Sequence, residues 1–324
     1  AAAALGVESD HRIEIGLTPN RTDAMGHIGV ARDLRAALLW NGGTGTGSGV
    51  PALAPSAAYA LEESTGPIAL HVEDTNGAPC YMGITLRNVK VAPSPDWMQH
   101  RLRAIGLEPK NNIVDVTNYV LHDLGQPLHA FDADRISGQQ VRVRKANEGE
   151  AFTALDGKEM TLTAADLVIA DAEKPMCLAG VFGGAHSGVH EGTTSVFLES
   201  AWFEPVTIRK SAKRHALSTD ASFRFERGVD PEMTTRGLEK AVSLLVECAG
   251  AEPDGGLQVF RGALPQATQV ELSWHTLDTM VGVSLDRHRV KGILANLDIQ
   301  VLSEEDGALS LRVPAYRRDV TRPA

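Results

Sequence analysis

The residues best equipped for chemistry stand in the stretch "GQPLHAFD", Gly125 to Asp132. A Gly-Gln-Pro turn delivers His129 beside an aromatic, with carboxylates at Asp132 and Asp134. A lone histidine titrates at about pH 6.5, which suits it to positioning a water or donating a proton. His129, Asp132 and Asp134 could also ligate a metal. However, the three sit close together and no second cluster completes a ligand set. Structural placement is the simpler reading of the acids, and a satisfied polar histidine is the simpler reading of His129.

Four other groupings carry chemical interest. "LAGVFGGAHSG" gathers Gly180, Gly183, Gly184 and Gly188. It contains no GxGxxG and no GKS or GKT, so it is not a nucleotide phosphate loop. Glycines at this density let the backbone approach a ligand closely or let two strands cross tightly. From Ile208 to Gly228 the chain carries Arg209, Lys210, Lys213, Arg214, Arg224 and Arg227 against Asp220 and Glu226. That contrast fits phosphate steering, and equally a solvated helix face. Glu199 in "FLESAW" is an acid in an apolar strand, so it needs an arginine partner or a pocket to face. "STDASFRFERG" reads either as small residues lining a recognition pocket or as a capped helix start. No Gly-x-Ser-x-Gly elbow and no HExxH appear.

The elements that must position these residues follow from periodicity. "RIEIGL", residues 12–17, alternates as a strand, and helical spacing starts at His27. Residues 41–58 are rich in Gly, Ser, Thr and Pro and read as a linker or a mobile loop. "IALHVED" and "YMGITLRNVKV" read as strands flanking the turn Asn76 to Pro79. "SPDWMQHRLRAIG" reads as a helix with Ser94 as cap, Pro95 at its first position and Gly106 as its stop. "VDVTNYVLHDLG" is a helix ending at Gly125. Strands resume in "QVRVRKA", "EAFTAL", "DLVIAD" and "TSVFLESAWF", and helices in "PVTIRKSAKRHAL" and "PEMTTRGLEKAVSLLVECAG". Beyond a break at Gly255 to Ala267 the order is strand, helix, helix, strand, turn, strand.

The totals bound the class. A chain of 324 residues is long for one domain, and 43% hydrophobic with 22% charged residues is ordinary for a soluble globular protein. A net charge of -10 argues against nucleic-acid binding over the whole surface, though not against a local basic patch. Cys80, Cys177 and Cys248 form no CxxC pair, so neither thiolate zinc nor a disulfide scaffold is indicated, and a reducing cytoplasm fits best. No run of 18 apolar residues exists to span a membrane. The first residues lack the features of a signal peptide. Both ends read as cut from something longer. The fold class expected is α+β and multidomain, with mixed and antiparallel sheets, packed helices, and a small winged-helix-like α+β module at the end.

Taken in order, "IGLTPNRTDAMGHIGVARDLRAAL", "NNIVDVTNYVLHDLGQPLHAFDADRI", "LAGVFGGAHSGV", "FLESAWFEPVTIR" and "STDASFRFERGVDP" closely resemble the β-subunit family of bacterial phenylalanine–tRNA ligases. "VPAYRRDVTRP" fits the same family. The resemblance covers nearly the whole chain apart from the Gly-rich stretch. It implies a division into 1–45, the end of an N-terminal core domain; 46–66, a linker; 67–262, an editing module; and 263–324, a truncated small domain. It implies an (αβ)₂ heterotetramer in which the α subunit joins phenylalanine to tRNA(Phe) with ATP and Mg²⁺, while the β subunit hydrolyses tyrosyl-tRNA(Phe) without a cofactor. The fragment itself should not aminoacylate.

By residue, the resemblance assigns His129, Thr117 and Asn118 to the editing centre. It assigns Ala179, Gly180 and Gly183 to a pocket wall, Glu199 to the tyrosine phenol, and Thr219 and Ala221 to discrimination between tyrosine and phenylalanine. Arg209, Lys210, Lys213 and Arg214 become candidates for tRNA contact, and Asp319 the first member of an acidic Mg²⁺ set whose other members lie beyond Ala324. One departure is Glu108, where many relatives carry Arg, which puts a local tRNA contact in doubt. A non-catalytic scaffold for the α subunit and tRNA is the alternative from another class. A metal-dependent hydrolase built on His129 and Asp132 ranks last.

Overall fold

A computed structural model describes residues 12–41 and 59–322. The Gly-rich stretch expected at 41–58 lies, from residue 42 on, outside the described residues. The fold is mixed α+β, with several sheets and helices packed on them.

Helix α1 spans His27–Asn41, as its spacing predicts. The preceding residues 12–17 form no strand; Ile13 and Ile15 stay exposed outside any regular element. Their alternation satisfies one requirement of a strand, but no neighbouring edge among the described residues pairs with it. Strand β1 (Ala69–Val72) and strand β2 (Cys80–Arg87) flank the Asn76–Pro79 turn as expected. They do not pair with each other, because the turn carries the chain from one sheet into another. Asp74 shapes it by accepting the Gly77 amide on its side chain and the Ala78 amide on its carbonyl.

Helix α2 (Asp96–Ala104) begins one residue later than predicted, and Ser94 does not cap it. The Ser94 hydroxyl instead donates to the fully buried Asp115 carboxylate, whose other oxygen accepts the Lys110 amide. A buried charge draws the nearest donors, and that demand outweighs a helix cap. Helix α3 (Asn112–Leu124) is closed at both ends by its own sequence. Asn111 accepts the Ile113 and Val114 amides at the start, and Gly125 turns left-handed at the end with φ of 76°. That turn leads directly into strand β3, Leu128–Asp132.

The remaining elements are β4 (Gln140–Lys145), β5 (Ala151–Thr153), β6 (Glu159–Thr161), β7 (Leu167–Ala170), β8 (Pro175–Leu178), β9 (Phe182–Gly183) and β10 (Val196–Trp202). Helices α4 (Pro205–His215), α5 (Asp220–Phe225) and α6 (Met233–Ala249) follow, then β11 (Glu252–Arg261). One sheet has the order β1-β4-β7-β8-β9, with β1 and β4 parallel and the other neighbours antiparallel. A second, wholly antiparallel sheet has the order β11-β2-β10-β3. Strands β5 and β6 form a separate hairpin. Helices α3 and α6 pack on one another, and α6 lies against β10 and β2. One continuous core joins all of this.

The last part runs β12 (Thr268–Ser273), α7 (Trp274–Val281), α8 (Arg287–Asn296), β13 (Gln300–Glu305) and β14 (Ala308–Val313). This is the element order that the sequence predicts. Its antiparallel sheet, β12-β14-β13, closes over a small core of its own around Trp274, Val290, Ile299, Leu309 and Leu311.

The second sheet depends on β2 and β10, whose residues are buried on both faces. Between them Gly83 is required sterically. An added Cβ would lie 2.0 Å from Cζ of Phe197, a ring with no exposed surface. Gly83→Ala should therefore lower the midpoint of urea unfolding, at a cost of about 1–3 kcal/mol from overpacking. An unchanged midpoint would overturn this account of the β2–β10 packing.

Candidate functional site

Strand register brings the two most reactive candidates together. In the β10–β3 pair, Glu199 lies directly opposite His129, so both side chains leave the sheet on the same face. They line a cavity of about 370 Å³. Its far wall is the Gly180–Gly183 turn between β8 and β9, and its sides are Thr117 and Asn118 of α3 and Thr219 to Ala221 at the start of α5. Residues more than 100 positions apart thus converge on one space.

Each wall has a local cause. The turn approaches closely because Gly183 has no side chain; a Cβ there would meet the His129 ring at 2.9 Å. Gly180 adopts φ of 65°, and a Cβ would press on Phe203 and Phe225. Gly184 serves a strand crossing instead, where a Cβ would strike the Met176 carbonyl. The cluster thus serves two purposes at different positions: close approach of the turn to His129 at Gly183 and a tight strand crossing at Gly184. Thr219 is both a helix cap and a cavity residue. Its hydroxyl accepts the Ser222 amide at 3.0 Å and donates to the Val181 carbonyl at 2.9 Å, pinning α5 to the glycine turn.

The electrostatics follow from burial. Glu199 is 5% exposed, and loss of water pushes its carboxyl up to about 8. One bond opposes that shift: the Tyr81 hydroxyl donates to Glu199 Oε2 at 2.9 Å. No arginine pairs with Glu199 among the described residues. Desolvation pushes His129 down to about 4, so its imidazole is neutral near pH 7. The ring packs edge-on to Phe131, with centroids 4.4 Å apart, and makes no hydrogen bond among the described residues. Asn118 likewise has no partner among them, whereas the Thr117 hydroxyl is spent on the Val114 carbonyl at 2.7 Å. Cys177 of β8 also lines the cavity, but its thiol is pushed well above the ordinary range by burial and then by Glu199, so it is a poor nucleophile.

The other candidates fall elsewhere. Ala179 is buried and does not reach the cavity; Val181 and Phe182 line it instead. The left-handed turn at Gly180 separates Ala179 from the residues that follow and leaves it in the core. Asp132 is a loop anchor, accepting Thr193 Oγ1 at 2.8 Å, His190 Nε2 at 3.1 Å and the Asp134 amide. Among the described residues no group of three or more His, Cys, Asp or Glu is placed to hold a metal. Asp319 is engaged by Arg317 at 2.9 Å. Arg209, Lys210 and Lys213 are exposed on α4, and Glu108 is exposed ahead of α3. Arg214 is committed to Asp166 with His215 and Ser211. Burial acts to raise Asp166, but bonds from His215, the Thr163 amide and Ser211 hold it at about 2.

Sequence reasoning missed Tyr81. Nothing in "CYMGITLR" marks it, because its partner lies 118 positions away and is brought near by the pairing of β2 with β10.

The shift at Glu199 has a consequence for stability. Its folded value stands above the unfolded one, so the native state holds the proton more tightly. The stability associated with that proton is fully present below about pH 4.5 and is lost as pH rises through about 8. Glu199→Gln removes this loss. In urea titrations the variant should gain on the wild type between about pH 5 and about pH 9, and parallel profiles would refute the buried, proton-retaining carboxyl.

Comparison with known proteins bears on identity. The B3/4 domain model matches residues 77–250, and the tRNA synthetase B5 domain model matches residues 270–324. The phenylalanine–tRNA ligase β subunit of Porphyromonas gingivalis is 48% identical over 325 residues, covering 99% of this chain and 39% of that protein. Those of Bacteroides fragilis and Geobacillus kaustophilus are 44% and 40% identical, covering 98% and 96% of this chain and 38% of each relative. An N-terminal fragment of the Pyrococcus horikoshii phenylalanyl-tRNA synthetase β subunit overlaps with a TM-score of 0.42 at 17% identity, over 94% of this chain and 81% of that one. The chain spans about two fifths of the length of the curated relatives it matches. With a B3/4 match over more than half of its residues and a B5 match behind it, the chain belongs to the B3/4 family in the form found in phenylalanine–tRNA ligase β subunits.

Proposed function

We propose that the cavity between β3, β10 and the glycine turn is a proofreading site that hydrolyses the ester of tyrosyl-tRNA(Phe). The observation that carries this reading is the pairing, across one strand register, of a neutral imidazole with a buried carboxyl in a cavity of amino-acid size. A site that selects phenylalanine cannot easily reject tyrosine, which only adds a hydroxyl. A second site can use that hydroxyl positively. Phenylalanine would leave the second oxygen of Glu199, the one not bonded by Tyr81, without a partner, a penalty of about 1–3 kcal/mol.

In the proposed reaction a water attacks the ester carbonyl, the bond to the terminal ribose oxygen breaks, and the proton lost by the water passes to that leaving oxygen, giving free tyrosine and the ribose hydroxyl. Among the described residues no serine hydroxyl bonds to His129, and the Cys177 thiol is held protonated, so no covalent intermediate is invoked. An imidazole that binds its proton weakly is a poor general base near pH 7 but a good acceptor for orienting that water. Asn118 supplies an amide free to meet the ester or the ribose, and the tRNA's own terminal hydroxyl assists.

In this reading residues 67–262 act as the editing unit and 263–324 as the start of a neighbouring domain. The assembled protein is an (αβ)₂ ligase in the cytoplasm whose α subunit uses ATP and Mg²⁺. Arg209, Lys210 and Lys213, exposed on α4, are the side chains offered to tRNA; Arg214 contributes through Asp166 to holding α4 in place.

The test is deacylation of tyrosyl-tRNA(Phe) by the assembled ligase. His129→Ala should slow it by at least about tenfold, the scale of a lost orienting group. An unchanged rate would remove His129 from the mechanism.

A further inference from the structure

Tyr81 stands outside the cavity but touches the group that defines it. Its ring has no exposed surface, it is absent from the cavity wall, and its hydroxyl donates to Glu199 Oε2 at 2.9 Å. A phenylalanine would fill the same core space, and a buried hydroxyl costs stability unless it is bonded. The hydroxyl therefore calls for an explanation beyond packing.

Glu199 supplies that explanation. Its side chain is long and rotatable, and a carboxyl free to turn would offer either oxygen in many directions. The cross-strand neighbours leave it without other guides. His129, directly opposite on β3, makes no hydrogen bond to it among the described residues, and the opposing position on β2 is Gly83. Phe197 lies over that glycine on the same face and closes the space on the β2 side. Tyr81, two residues before Gly83, is thus the polar group that sets the carboxyl's direction, and the second oxygen is left for the cavity.

We propose that Tyr81 is a specificity-determining positioning residue: by occupying one oxygen of Glu199 it fixes the other as a single hydrogen-bonding point for the phenol of a tyrosyl ester. Two phenols, one from the protein and one from the substrate, then share one carboxyl. The inference rests on the proofreading reading of the cavity and names how that site tells tyrosine from phenylalanine.

The assembled ligase can be assayed for deacylation of tyrosyl-tRNA(Phe) and phenylalanyl-tRNA(Phe) with Tyr81→Phe, Glu199→Ala and the double variant. Tyr81→Phe keeps the ring, and circular dichroism with thermal melting checks that the fold is kept. The ratio of kcat/KM for the two esters should fall about tenfold, mostly through a higher KM for the tyrosyl ester, as loss of one oriented hydrogen bond dictates. Placed in the Glu199→Ala background, Tyr81→Phe should cause no further fall, because its effect runs through that carboxyl. The midpoint of the wild-type pH profile should also move upward in Tyr81→Phe, since the donated bond favours the ionised form. A ratio that stays put in Tyr81→Phe while Glu199→Ala abolishes it would reduce Tyr81 to core filling. A ratio indifferent to Glu199→Ala would overturn the proofreading reading itself, and the role of Tyr81 with it.

Discussion

The structure around the cavity depends on one constraint: a carboxyl sits in the middle of a strand buried on both faces. β10 shows no exposed residue from Val196 to Trp202. One face turns Ser200 and Trp202 toward the chain around α6, where they bond the Thr234 and Val229 carbonyls. The other turns Glu199 toward the cavity and packs Phe197 over Gly83. Strand geometry gives the carboxyl no route to bulk water along its own sheet, so the surroundings must either pair it or keep it protonated. They do both in part. Tyr81 bonds one oxygen, and burial holds the proton to about pH 8.

Much of the neighbouring architecture can be understood as clearing or fixing the space in front of that carboxyl. Gly83 makes room for the Phe197 ring beside it, and Gly183 makes room for His129 opposite it. Thr219 ties α5 to the glycine turn, so two walls are joined by a direct bond. Asp132, at the end of the His129 strand, holds the loop that brings Gly188 and Val189 to the cavity mouth. Below it, Asp166 fastens α4 to the five-stranded sheet through Ser211, Arg214 and His215. Buried acids used this way are positional devices, and their worth is geometric more than energetic.

The legibility of this arrangement in the sequence was uneven for physical reasons. Helices with their own caps, such as α3 between Asn111 and Gly125, are local objects, and their spacing revealed them. The element order of the small module was legible for the same reason. Residues 12–17 were not, because a strand requires a partner that periodicity does not supply. The Asn76–Pro79 turn was visible, but that it joins two sheets was not, since pairing is a long-range choice. His129 and Glu199 each stood out as polar residues in apolar surroundings. Their juxtaposition is a matter of register, which a single sequence leaves open. Ala179 shows the reverse failure: a neighbour of lining residues need not line anything, because the chain turns left-handed at Gly180 and leaves it in the core.

The choice between the proofreading reading and a passive scaffold turns on energetics. A scaffold gains nothing from an acid held protonated in a cavity. Replacing Glu199 and Tyr81 together by apolar residues of similar shape would remove a desolvation cost without breaking any other bond seen among the described residues. A histidine pushed to about 4, without a hydrogen-bond partner among the described residues, is a second such cost on the same face. A half-paired carboxyl and an imidazole, placed opposite one another by register and facing a space of amino-acid size, are what a binding site looks like before its ligand completes it. In the proofreading reading proposed above, a tyrosyl ester completes them, its phenol meeting the carboxyl and its ester lying within reach of the imidazole.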